Sequence, residues 1–212
     1  MENNTAIVTN PAETLLAEFT GGSDGSVEMM IGVGLVKDSD AVFFQYMGEE
    51  QQPMALTMPT SGKPLTRLTN VKLAGLEIAE DIGEFKSTKL NVYLTSSQGR
   101  TIMLTSGLTT IWSQCLLNCI SGLYNTYSLD TAFNLDSWKG NSKMRPCFAG
   151  IRINGDKVTD DVLYNQLADA RADKDYKRTE ELLRGVVNTV KAALGTEPVE
   201  VTEVDPQAAE LF

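Results

Sequence analysis

The feature that most constrains this chain is a change of hydrophobic period in its middle. From Ser87 to Ser96, "STKLNVYLTS" places Leu90, Val92 and Leu94 on one side by strict alternation. That is the pattern of a half-buried strand. The segments 67–79 ("RLTNVKLAGLEIA") and 100–105 ("RTIMLT") also read as strands, the second after a tight turn at Ser97-Gln98-Gly99. Then Leu108, Ile111, Trp112, Cys115, Leu116, Cys119, Ile120 and Leu123 recur at steps of three and four. This predicts an amphipathic helix over 107–125. Alternation returns in 131–138 and 147–154, and Asn154-Gly155 closes the run with a turn.

Three strands, a helix and two strands form the element order of an OB-fold, a small Greek-key barrel. The expected class is therefore mainly β with helices: an OB-like five-stranded barrel with extra N-terminal strands and two C-terminal helices. A second expectation is a mixed sheet with the helix packed on one face, a class that includes the Whirly type.

The flanks divide the chain further. Residues 1–65 are expected to hold N-terminal strands and a linker packed on the core. Those strands are Glu13–Thr20, Val27–Val36 and Ala41–Met47, with turns at Gly21–Gly25 and Lys37–Asp40. The two glycines in "VEMMIGVGLV" suggest a bulge or a close backbone approach. Pro53, Pro59, Gly62 and Pro64 mark the linker. Residues 66–155 form the OB-like core. In 156–195, Thr159-Asp160-Asp161 and Thr179-Glu180-Glu181 cap two helices, and Gly195 stops the second. Residues 196–212 carry five acids and no cation and read as a disordered acidic tail.

Composition excludes several functions. The chain contains no histidine, which removes His-based acid–base chemistry, Ser–His triads and His-ligated metals. Cys115 and Cys119 lie on the apolar stripe of the helix and read as core, and only Cys147 remains as a further thiol. Three cysteines give no disulfide framework and suit a reducing cytoplasm. No apolar run approaches the ~18–20 residues of a membrane span, and the N-terminus lacks the pattern of a signal peptide. "GGSDG" lacks the Gly-Lys-Ser/Thr of a phosphate-binding loop. No paired carboxylates sit at a defined separation. The expectation is a protein that is not an enzyme and holds no cofactor or metal.

Charge is segregated. The net charge of the whole chain is −10, yet residues 60–157 are net +4 between acidic ends of −8 (residues 1–59) and −5 (residues 196–212). A basic middle in an acidic chain points to a partner, because the local field steers association. Alternation sorts the strands into faces. Phe133, Leu135, Cys147, Ala149, Ile151 and Ile153 face inward. Tyr93, Trp138 and Phe148 face outward, interleaved with Lys89, Arg100 and Arg152. Lys139, Lys143 and Arg145 lie on the loop between the last two strands. Exposed rings stack on bases and cations neutralise phosphates, so this set suits a single nucleic-acid strand. The opposing expectation is that Phe148 and Trp138 pack beneath the N-terminal strands or the C-terminal helices. Trp112, in the helical stripe, is core.

The end of the chain, Glu210-Leu211-Phe212, closes the acidic tail with an apolar aromatic residue. A tail of this kind behind an OB-like segment resembles bacterial and phage single-stranded DNA-binding proteins, most closely the phage or plasmid type. The Asp-rich run of the bacterial tails is missing here, and Leu211 stands where those tails usually have Pro. The resemblance implies sequence-tolerant binding of single-stranded DNA during replication, recombination or repair, in the cytoplasm (the host's for a phage protein). It also implies that the tail recruits replication or repair proteins through Glu210, Leu211 and Phe212. A homo-oligomer stays open, and no membrane is implied. The competing expectation is a structural or assembly protein, for example of a phage, using the basic loop and the added elements as subunit interfaces.

Overall fold

The computed structural model describes residues 27–37, 39–47, 52–58, 61–83, 85–97 and 99–195. The strand expected at Glu13–Thr20 and the tail at 196–212 lie outside the described residues. Nine strands and three helices are described: β1 (Val27–Val33), β2 (Phe43–Met47), β3 (Gln52–Ala55), β4 (Arg67–Ile82), β5 (Ser87–Ser96), β6 (Thr101–Gly107), α1 (Ile111–Thr126), β7 (Phe133–Lys139), β8 (Cys147–Ile153), β9 (Asp156–Val158), α2 (Asp161–Ala172) and α3 (Tyr176–Leu194). The strands form one mixed sheet in the order β3-β2-β1-β6-β5-β4-β7-β8-β9. Every pairing is antiparallel except β1 with β6.

The five expected core strands run β6-β5-β4-β7-β8 in space, and α1 falls between β6 and β7 in sequence. The sheet is open, and the five-stranded barrel is not formed. Closing it requires β6 to meet β8. The free side of β6 is taken by β1 in parallel register, and that of β8 by β9. With both edges paired, no hydrogen-bonding groups remain for closure. The N-terminal strands β1–β3 therefore extend this sheet. The expected alternative of a mixed sheet with the helix on one face describes this arrangement better.

One face of the sheet carries the main core. Leu73, Leu76, Leu90, Val92, Leu94, Ile102, Leu104, Phe133, Leu135 and Ile151 meet Trp112, Leu116, Ile120 and Leu123 of α1 there. Trp112 is fully buried and its Nε1 donates to Ser137 Oγ at 3.0 Å, so its polar edge is satisfied inside the core. Thr110 caps α1 by accepting from the Ser113 amide. Gly122 lets α1 touch the segment before α2: a Cβ there would lie 2.5–3.0 Å from Thr159 backbone atoms, which cannot move aside cheaply. Cys119 is buried, and burial pushes the thiols of Cys115 and Cys119 up, the latter to about 11. They are packing groups.

The helices differ from expectation at two starts: α1 begins at Ile111, after β6 has taken Gly107, and α3 begins early. α3 is capped by Asp175, which accepts from the Arg178 amide, so it begins a turn before Thr179. Thr179 is instead buried, its hydroxyl donating to the Asp175 carbonyl. Gly195 ends α3 in the left-handed conformation at φ +67°, where a Cβ would be strained. β3 and β9 were not anticipated. Pro53 read as a linker, yet it sits on an edge strand, where a missing amide proton costs little.

Candidate nucleic-acid interface

The face of the sheet away from α1 carries the residues that alternation turns outward. Across β7 and β8 the direct pairs are Asn134–Arg152, Asp136–Gly150 and Trp138–Phe148. Trp138 and Phe148 stack, with ring centroids 5.9 Å apart and planes 18° from parallel. Trp138 remains 46% exposed and Phe148 is half-buried. The indole edge rests over Gly150, where even an added Cβ would lie 3.4 Å from it. The pair forms an aromatic step at the end of the hairpin, and no other described strand or helix packs over the indole.

The cations around this step are mostly engaged. Asp136 pairs with Arg67 and, at 3.3 Å, with Arg152, and Arg152 also donates to the Gly155 carbonyl at 3.0 Å. Lys139 donates to the carbonyls of Val36 (3.3 Å) and Ser39 (2.5 Å), which ties the hairpin to the β1–β2 connection. Arg145 pairs with Asp40 at 2.5 Å. Its hydrogen bond and charge hold the Asp40 carboxyl below its ordinary range. Lys143 is exposed and has no ion-pair partner among the described residues. Arg67 and Arg152 are about half exposed despite their shared carboxylate. Exposed pairs of this kind are worth only ~0–1 kcal/mol and exchange readily for a phosphate.

Three expected site residues stand elsewhere. Tyr93 does point to the outer face, but it is 6% exposed and packs with Val27 and Met103. Its hydroxyl donates to Glu77 at 2.8 Å, and burial together with that carboxylate raises its pKa. Tyr93 therefore offers no face to a base, because β4 and β6 crowd it from both sides. Lys89 lies farther along the same strand, half-buried above a hollow of about 90 Å³ lined by Met30, Ile82 and Met103. Burial lowers its pKa. Arg100 is half-buried at the β5–β6 turn, its amide facing Ser96 Oγ at 3.3 Å. The structure thus gathers Trp138, Lys139, Lys143, Arg145, Phe148 and Arg152 at one hairpin. It leaves Lys89, Tyr93 and Arg100 apart from them. Glu210, Leu211 and Phe212 lie outside the described residues.

Arg67 and Lys72 join the outer face without having been anticipated. Arg67 sits directly opposite Asp136, and Lys72 opposite Thr95. The register shift between Leu68 and Val71 hides their common face: Arg67 and Lys72 are five residues apart and would alternate to opposite faces, but Leu68 and Val71 both turn inward. Bulges break the period of two that the sequence pattern relies on. No protein-family model matches the chain, nor does any curated protein or solved structure. No helix of the described residues is long and apolar enough to cross a membrane.

Proposed function

We propose that this protein binds single-stranded DNA with little sequence preference, through the outer face of the β7–β8 hairpin. The observation that carries the proposal is the exposed Trp138 ring stacked on Phe148, with Arg67, Arg152 and Lys143 in its surroundings. A base stacks on the indole and continues the aromatic step, worth ~1–3 kcal/mol. The arginines release Asp136 in part to meet phosphates. The spatial order of β6-β5-β4-β7-β8 matches that of an OB core opened at one seam, and OB-folds use this hairpin for strands. The acidic tail recruits replication or repair proteins through Glu210, Leu211 and Phe212, and its charges compete with DNA for the hairpin.

The two tryptophans make the test direct. Trp112 is fully buried and Trp138 is exposed, so quenching of emission on adding a dT oligonucleotide reports on Trp138. The expected result is salt-sensitive quenching, stronger than with a duplex and absent in Trp138→Ala. Equal or tighter binding to the duplex would remove the stacking account.

A structural or assembly role is the second reading. The observation that favours it is the internal use of the loop: Lys139 and Arg145 brace the β1–β2 connection. On that reading oligonucleotides bind with no dependence on salt, or not at all.

A further inference from the structure

The β4–β5 hairpin ends in a side chain that no described residue covers. Phe85 is 93% exposed. A lone exposed apolar residue needs no partner by itself; the setting of this one is unusual. Asp81, Gly83 and Lys86 all take left-handed backbone conformations at the tip. The Lys86 amide donates to the Gly83 carbonyl at 3.1 Å, and Ser87 Oγ to the Ile82 carbonyl at 3.1 Å. Below the tip, Glu80 accepts from Thr88 at 3.0 Å and from Arg184 of α3 at 2.6 Å, and Arg184 also pairs with Glu180. The finger is held in place before it meets anything, which lowers the cost of docking.

At the other end of the molecule is an apolar hole of about 310 Å³, walled by Val33, Leu35, Ile111, Trp112 and Pro146. Its two hydroxyls, of Ser106 and Thr110, already hydrogen-bond each other at 3.1 Å. An apolar cavity of only ~150 Å³ accommodates benzene, so a phenyl ring fits this one. Leu35 at its mouth is 58% exposed.

Charge agrees with this match. The described residues of the tip carry two acids, Glu80 and Asp81, and one cation, Lys86, whereas the described residues of 37–40 and 139–145 beside the hole carry four cations and one acid. An acidic tip repels phosphates, so the finger suits a protein with a cationic rim better than a nucleic acid. Phe85 does not reach the hole of its own chain. β7 runs antiparallel to β4 and pairs near the start of it, so the hole lies toward Arg67 while Phe85 lies beyond Ile82. The 16 residues of β4 span about 50 Å at ~3.3 Å per residue.

We propose that Phe85 of one copy inserts into the hole beside Leu35 and Pro146 of a second copy, a head-to-tail contact between unlike patches. Such contacts continue from copy to copy until a ring closes or a filament grows. The contact shares the 139–145 loop with the nucleic-acid proposal but does not need a bound strand.

The full chain tests this by sedimentation velocity over a wide concentration range. The wild type is expected to grow past the dimer as concentration rises. Phe85→Asp removes the knob and Leu35→Glu places a charge against the acidic tip. Each is expected to weaken association by roughly tenfold or more, as loss of a central aromatic anchor does. A mixture of the two variants retains one intact knob and one intact hole, so it should form dimers and stop there. Both positions are exposed, so the thermal transition should not move. If Leu35→Glu lowers it, Met144→Glu, 85% exposed and two residues from Pro146, replaces it. A wild type that stays monomeric throughout overturns the proposal. So do variants that associate like the wild type, and a mixture that stays monomeric. If Phe85→Asp instead weakens oligonucleotide quenching and leaves association intact, the finger is a nucleic-acid contact and the proposal falls.

Discussion

Tyr93 and Trp138 occupy the same face of the same sheet, both placed there by alternation, and they end in opposite environments. Tyr93 lies mid-strand on β5, with Gly75 and Met103 directly across from it on β4 and β6. Its ring fills the space over Gly75, where an added Cβ would lie 3.2 Å from it, and its hydroxyl is bound by Glu77. Trp138 lies near the end of β7. The β4 pairing begins at Arg67–Asp136, so Trp138 has a neighbour strand on the β8 side only. One ring is enclosed by its flanking strands and the other overhangs the sheet. Facing outward is a property of one strand; being exposed depends on how far the neighbouring strands extend.

The largest expected effect in breaking this comparison is on stability. Tyr93→Ala removes a ring packed on three sides and should cost about 3–5 kcal/mol, in the range of large aromatic deletions, measured by urea unfolding. A cost under ~1 kcal/mol would mean that Tyr93 is a surface residue after all. Trp138→Ala should cost little stability and weaken oligonucleotide binding by ~1–3 kcal/mol, read by fluorescence anisotropy with a labelled strand. A large fall in unfolding free energy would place Trp138 among the core residues.

The same contrast separates two lysines of one hairpin. Lys139→Met removes a charged group bonded to two carbonyls and should lower stability by about 1.5–3 kcal/mol, with little change in the salt dependence of DNA binding. Lys143→Ala should leave stability unchanged and flatten the slope of log affinity against log salt by up to ~0.7. Reversal of these outcomes would exchange their roles. The smallest effect concerns the Tyr93 hydroxyl. Its pKa is raised in the folded chain by burial and by Glu77, so the stability it contributes is complete below the ordinary tyrosine value of about 10. That contribution is lost as the pH rises above this value. Tyr93→Phe should therefore lose less stability than the wild type on going from neutral to strongly alkaline solution. Parallel curves would show that the phenol is not enclosed.

Much of the fold was legible because local pattern and tertiary role agree. β5 matches its expected span at both ends, and Leu90, Val92 and Leu94 are buried as alternation requires. The stripe from Leu108 to Leu123 lies in the core, Trp112 included. The acidic cap at Asp160 accepts from the Val162 and Leu163 amides and from Ser121 and Asn125. Burial pushes its pKa up, but these hydrogen bonds outweigh that and hold it below its ordinary value. What the pattern hides is short or irregular: two strands of four and three residues, and the register shift of β4 that brings Arg67 and Lys72 to one face. A three-residue strand carries too few alternations to register, and a bulge inverts every face after it.

The sequence by itself determined which residues form the strands β4 to β8, which stripe becomes α1, and which side chains of β7 and β8 face outward. Those are consequences of periods of two and 3.6 acting over a few residues. The tertiary structure alone decided that the sheet stays open, that Tyr93 is covered and Trp138 is not, and that Lys139 and Arg145 are engaged by Val36, Ser39 and Asp40. Each depends on which segment far away in sequence reaches a given edge first: β1 on β6, β9 on β8, and the β1–β2 connection on the basic loop. Edge pairing and ion pairing are competitions between distant groups, and no local pattern records their outcome.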